Sequence, residues 1–101
     1  MQIIVKDKKF ESGKITRNKY KIYTKVRDEI AKKEIYDDSD LDEMVRVIVK
    51  IYDDKFTEDD INDDMEVSDI IFNFSAIDFE IATKVNKKAE KITKGFTKGK
   101  K

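Results

Sequence analysis

The sequence predicts a mainly α fold: a small helical bundle of three to four helices with a short N-terminal β-hairpin. Three observations carry that expectation. Leu41, Met44, Val45, Ile48, Ile51 and Tyr52 recur at steps of three and four, which gathers them on one face of a helix. Ile70, Ile71, Phe74, Ile77, Ile81 and Val85 repeat the spacing after the acidic stretch TEDDINDD, and two amphipathic helices joined in this way read as an antiparallel pair. At the N-terminus, Ile3 and Val5 face Phe10 across Lys6-Asp7-Lys8-Lys9, the pattern of two short strands around a polar turn.

The bulk composition narrows the possibilities. With 101 residues and 39% hydrophobic content, the chain has material for one small domain and a modest core. It contains no cysteine and no histidine, which excludes disulfides, Cys/His zinc sites, thiol chemistry and imidazole base catalysis. No apolar run reaches membrane-spanning length, and Lys6 interrupts the N-terminus before a signal-peptide core could form, so a cytoplasmic location without membrane contact is expected. The 19 lysines outnumber 3 arginines, a bias that AT-rich coding DNA produces. Net charge is zero but segregated: residues 1–35 carry +6, residues 36–83 carry −13 and residues 84–101 carry +7.

In chain order, the hairpin must lie against the helices, since an isolated one is marginal in water. Glu11-Ser12-Gly13-Lys14 breaks the strand pattern. A first helix is expected from Thr16 or Asn18 to Lys33, packed by Tyr20, Tyr23, Val26 and Ile30. Those tyrosines could instead stack on bases while Lys19, Lys21, Lys25 and Arg27 follow phosphates. An i, i+3 aromatic pair is more often core, and the basic residues fall on the solvated face, so nucleic acid is the disfavoured partner.

The second helix is expected to start at a Ser39 cap, with Asp42 three residues on, and to run to Asp54. Thr57 and Asp60 have capping-box spacing, and Phe56 and Ile61 have the spacing of a hydrophobic staple. Three acids in that first turn suit the positive end of the helix dipole. The same run fails as a calcium loop: counted from Asp60, Met65 stands where glycine is needed and Ile71 where a bidentate glutamate is needed. No metal, cofactor or catalytic residue is assigned, and no enzyme activity is expected.

A third long helix is expected from Glu66 or Ser68 to about Lys91, with Phe72, Phe79 and Ala82 widening its apolar surface. Phe72 and Phe79 are either covered by the first helix and the hairpin or turned toward a partner. Residues 1–91 therefore make one helical domain, and TKGFTKGKK within 92–101 reads as a disordered basic tail with Phe96 as its only anchor.

The order hairpin, helix, polar gap, helix, FTxDDI, helix and charged tail resembles the tail assembly chaperones of long-tailed phages of Gram-positive bacteria. Ile3 to Phe10 and, above all, MVRVIVKIYDDKFTEDDI from Met44 to Ile61 carry the likeness, with Phe56, Thr57, Asp60 and Ile61 at its centre. Where that family has a glycine-containing turn before the FT pair, this chain has Asp53-Asp54-Lys55. The resemblance implies a non-enzymatic protein of the bacterial host cytoplasm, active in viral morphogenesis and absent from the mature virion. Its partners would be the tape measure protein, which it binds and solubilises, and the tail tube protein, which it recruits. A homo-oligomer fits the same picture, and Phe72, Phe79 and Phe96 are the candidate partner-binding residues. The competing reading is a small nucleic-acid-binding regulatory protein that uses the basic ends.

Overall fold

The hairpin forms around a two-residue turn. A computed structural model describes residues 1–99, with side chains to Ile92. Strands β1 (Gln2–Val5) and β2 (Lys8–Glu11) pair antiparallel with Val5 opposite Lys8 and Ile3 opposite Phe10, which narrows the expected turn to Lys6-Asp7. Both turn residues have positive φ, 50° and 63°, as in the turn whose twist matches that of the flanking strands. Neither is glycine, so the turn is secured from outside. The Lys6 N–H donates to Asp64 Oδ2 at 2.9 Å, and the Lys6 ammonium lies 3.0 Å from Asp60 Oδ1.

Four helices follow: α1 (Arg17–Ile30), α2 (Asp38–Ile51), α3 (Glu58–Asp64) and α4 (Val67–Gly99). Thr16 caps α1, which stops at Ile30, three residues before the expected Lys33. The cap of α2 is Asp37, not Ser39. The Asp37 side chain accepts from the Asp40 N–H while the Asp40 side chain accepts from the Asp37 N–H, a reciprocal box. Ser39 instead donates its hydroxyl to Asp37 Oδ1 at 2.8 Å. A carboxylate accepts from a backbone N–H more strongly than a hydroxyl does, so the aspartate two residues earlier sets the start.

Helix α2 ends at Ile51 rather than Asp54, because Asp53 and Asp54 turn left-handed with φ of 58° each. The Asp54 N–H bonds to the Val49 carbonyl and the Asp53 N–H to the Lys50 carbonyl, a Schellman closure. Aspartate tolerates this conformation better than most residues, which is how the turn forms without glycine. Helix α3 starts as its sequence foretells, with the Thr57–Asp60 capping box intact and both Phe56 and Ile61 buried. The expected connection is thus a helix of its own.

The core is organised around α2. Met44, Val45, Ile48 and Ile51 are buried as the periodicity implied, but Val47 and Val49 are buried too, while Leu41 is only partly so. Helices α1, α3 and α4 all pack on α2, and β1 packs on α3 with Ile3 and Val5 turned inward. Burial from more than one side, one of the two alternatives for the third long helix, belongs instead to α2. Lys19 ties the periphery together: its ammonium donates to the carbonyls of Ser12 and Lys14 and lies 3.1 Å from Asp53.

Helix α4 continues past the expected end near Lys91. At about 1.5 Å per residue its 33 residues span roughly 50 Å, which accounts for a molecule of 57 × 33 × 22 Å. The basic tail foreseen over 92–101 falls mostly on residues whose side chains lie outside those described, and Lys100 and Lys101 lie outside altogether.

Two predictions follow from the caps. Phe56 packs against Phe10 and Tyr52 at ring distances of 5.1 and 5.5 Å, so Phe56→Ala is expected to cost about 3 kcal/mol in denaturant unfolding. The Asp37 carboxyl is held down to about 2 by the Asp40 N–H first and the Ser39 hydroxyl second. Because its folded value lies below the unfolded 3.8, its stabilisation is complete above that value and is lost as pH falls toward 2. Asp37→Asn, which can still cap, should flatten that acid limb of the melting-temperature profile.

Candidate partner-binding surface

Helix α4 is gripped along one side. Ile70, Phe74 and Ile77 are buried there, and Phe74 meets the Tyr23 ring at 4.9 Å. The Tyr23 hydroxyl donates to Asp78 Oδ2 at 2.5 Å, and Arg27 lies 3.1 Å from the other Asp78 oxygen and 5.7 Å from the Tyr23 ring centre. Burial, and then the bond to Asp78, push the Tyr23 hydroxyl well above its ordinary value, so it stays protonated and donates at any physiological pH. The N-terminal amine adds a contact to Glu80 at 3.4 Å. These contacts fix the rotation of α4 about its axis.

That rotation decides which apolar side chains remain outside. At about 100° per residue, Phe72 and Phe79 fall on the side opposite Ile70, Phe74 and Ile77. They are 70% and 76% exposed, so neither the first helix nor the hairpin covers them. Two turns separate them, roughly 10 Å along the axis. Ser75 and Ala76 between them are small, which leaves both rings standing clear of the helix surface. Phe96, the third candidate, is among the residues whose side chains are not described. Val85 lies on the gripped side by spacing yet is 59% exposed, because the packed neighbours end near the half-buried Ile81.

The charged groups divide differently from the sequence expectation. Asp60 and Asp64 hold the hairpin turn, and the Thr57 N–H, followed by Lys6, lowers the Asp60 pKa. Glu58, Asp59 and Asp63 are left exposed. On α1, Lys19 and Arg27 are engaged inside the fold and Tyr23 is 1% exposed, so the arrangement proposed for nucleic acid has lost its stacking pair. Among the described residues no group of three His, Cys, Asp or Glu side chains could hold a metal ion, and no helix is long and apolar enough to cross a membrane.

The sequence profile of a family described as phage tail chaperone protein matches residues 2–100, from the hairpin through α4. The chain belongs to that family. No curated protein and no solved structure matches it. Within this chaperone the sequence reading missed Ile4, 64% exposed on β1, although the alternation that buries Ile3 and Val5 points it outward. It also missed the docking of the hairpin turn by Asp60 and Asp64, for which no local signal exists.

Because both rings are solvated, Phe72→Ser and Phe79→Ser should each shift unfolding free energy by no more than about 0.5 kcal/mol. A buried phenylalanine would cost about 3 kcal/mol, so a denaturant titration separates the two situations.

Proposed function

We propose that this chaperone binds the tape measure protein, keeps its amphipathic helices soluble in the bacterial host cytoplasm and recruits tail tube subunits, without enzymatic activity and without entering the mature virion. The observation that supports this reading is the pair of exposed rings, Phe72 and Phe79, on a helix whose opposite side is anchored by Phe74, Ile77 and Asp78. A long tape measure exposes apolar helical stripes before the tube encloses it. Two aromatic side chains spaced by two turns suit such a stripe, which presents its own anchors at i, i+3, i+4 and i+7.

The size of the surface matches a reversible grip. Burying two phenylalanines contributes on the order of 3–6 kcal/mol before the cost of association, which alone gives weak binding. Several copies along one tape measure, or a homo-oligomer, would raise the avidity while leaving each contact replaceable by a tube subunit. The exposed acids of α3 and the lysines of the 92–101 segment, with Phe96 among them, supply the charged rim. Such charges act on association rate and partner choice more than on final affinity.

The decisive measurement is binding of synthetic tape measure helices to the Phe72→Ser/Phe79→Ser double variant after circular dichroism has verified its fold. Affinity should fall by about tenfold or more. Undiminished binding by the folded variant would remove this surface from the function.

A further inference from the structure

The two edges of the hairpin are treated differently. The Ser12 N–H donates to the Met1 carbonyl at 3.0 Å, and the register pairs Ile3 with Phe10 and Val5 with Lys8. Hydrogen-bonded and non-hydrogen-bonded pairs alternate along an antiparallel ladder, so Gln2 and Ile4 on β1, and Lys9 and Glu11 on β2, aim their backbone groups away from the hairpin. On the β2 edge the Glu11 carbonyl accepts from the Lys55 ammonium at 2.8 Å. On the β1 edge the Lys6 N–H meets Asp64, which shows that this edge faces α3. Among the described residues, the Gln2 and Ile4 backbone groups pair with no other backbone group, and they border a cleft of about 550 Å³. Asp64, Met65, Asp69 and Asn73 form its far wall.

We propose that the β1 edge is a docking site for one extended peptide segment carrying a lysine or arginine. The segment adds a third strand by exchanging hydrogen bonds with the Ile4 N–H and C=O, as strand addition to an open sheet edge requires. Its basic side chain reaches the Asp69 and Asp64 carboxylates on the far wall. Lys9, which lines the cleft on the hairpin side, repels a cation placed there and favours the basic side chain pointing toward Asp64 and Asp69. A helix cannot use this edge, because its own backbone groups are already paired. The site is separate from the Phe72 and Phe79 face, whose rings do not line the cleft.

The test is amide NMR of the full chain with three blocked pentapeptides: Thr-Val-Lys-Val-Thr, its Glu counterpart, and the lysine peptide with alternate backbone nitrogens methylated. At up to ~1 mM the lysine peptide should shift the amides of Gln2, Ile4 and Asp69 and slow hydrogen exchange at Ile4, with the other two about tenfold weaker. Ile4→Pro removes an outward N–H, which an edge strand tolerates, together with the exposed Ile4 side chain, and should abolish binding with the helical dichroism intact. If that variant fails to fold, the methylated peptide alone decides. Equal binding by all three peptides, shifts confined to other surfaces, or no shift at all would overturn the proposal. Shifts of the same amides on concentrating the protein without peptide would assign the edge to a second copy and likewise overturn it.

Discussion

Burial of α2 from several sides is the constraint on which the rest of the structure depends. Met44, Val45, Val47, Ile48, Val49 and Ile51 are each no more than 5% exposed, and α1, α3 and α4 share the task of covering them. A chain of this length has too little interior for two such helices. With α2 in the centre, every other element needs only one apolar face. Tyr52 shows how strongly packing dominates there: its ring lies tilted 5.5 Å from that of Phe56, while its buried hydroxyl has no hydrogen-bond partner among the described residues. Burial accordingly pushes that hydroxyl pKa up.

The acidic middle of the chain is in large part structural. Asp37 and Asp40 start α2, Asp53 and Asp54 close it, and Asp60 starts α3 while helping Asp64 to hold the hairpin turn. Short carboxylates cap helix N-termini and tolerate left-handed backbone, so one residue type serves three local purposes. This accounts for a chain with only 3 glycines and no proline that still turns sharply at two places. The acids outside these roles are spread over three helices, with Asp42 on α2, Glu58, Asp59 and Asp63 on α3 and Asp69 on α4 all exposed.

Helix α4 joins the fold to the surface. Its gripped side is fixed by Tyr23, Arg27 and the N-terminal amine, and its outer side carries two exposed aromatic rings that contribute nothing to the core. Apolar exposure on an anchored helix differs from exposure on a loose segment, because little ordering entropy has to be lost when a partner arrives. On the proposed function, this surface is where the phage tail chaperone meets its partner. The proposed β1-edge site differs in character from the proposed Phe72 and Phe79 contact, directional and backbone-mediated where that one is apolar.

Local signals in the sequence determined the hairpin, the mainly helical class, the Thr57 cap with its Phe56 and Ile61 staple, and the α2 and α4 stripes as far as Ile81. Each rests on period, capping chemistry or turn preference within a few residues, where neighbours along the chain are also neighbours in space. The family likeness was legible for the same reason, since the FTxDDI start is a local pattern. Tertiary structure decided the rest. It buried Val47 and Val49 by surrounding α2, whereas the choice of Asp37 over Ser39 as a cap is local, the Asp37 and Asp40 carboxylates each accepting the other residue's backbone N–H. It exposed Phe72, Phe79 and Val85 by setting the rotation of α4 and ending its cover near Ile81. A helical stripe records which residues share a face, but only the number and position of the packed neighbours determine which faces are covered.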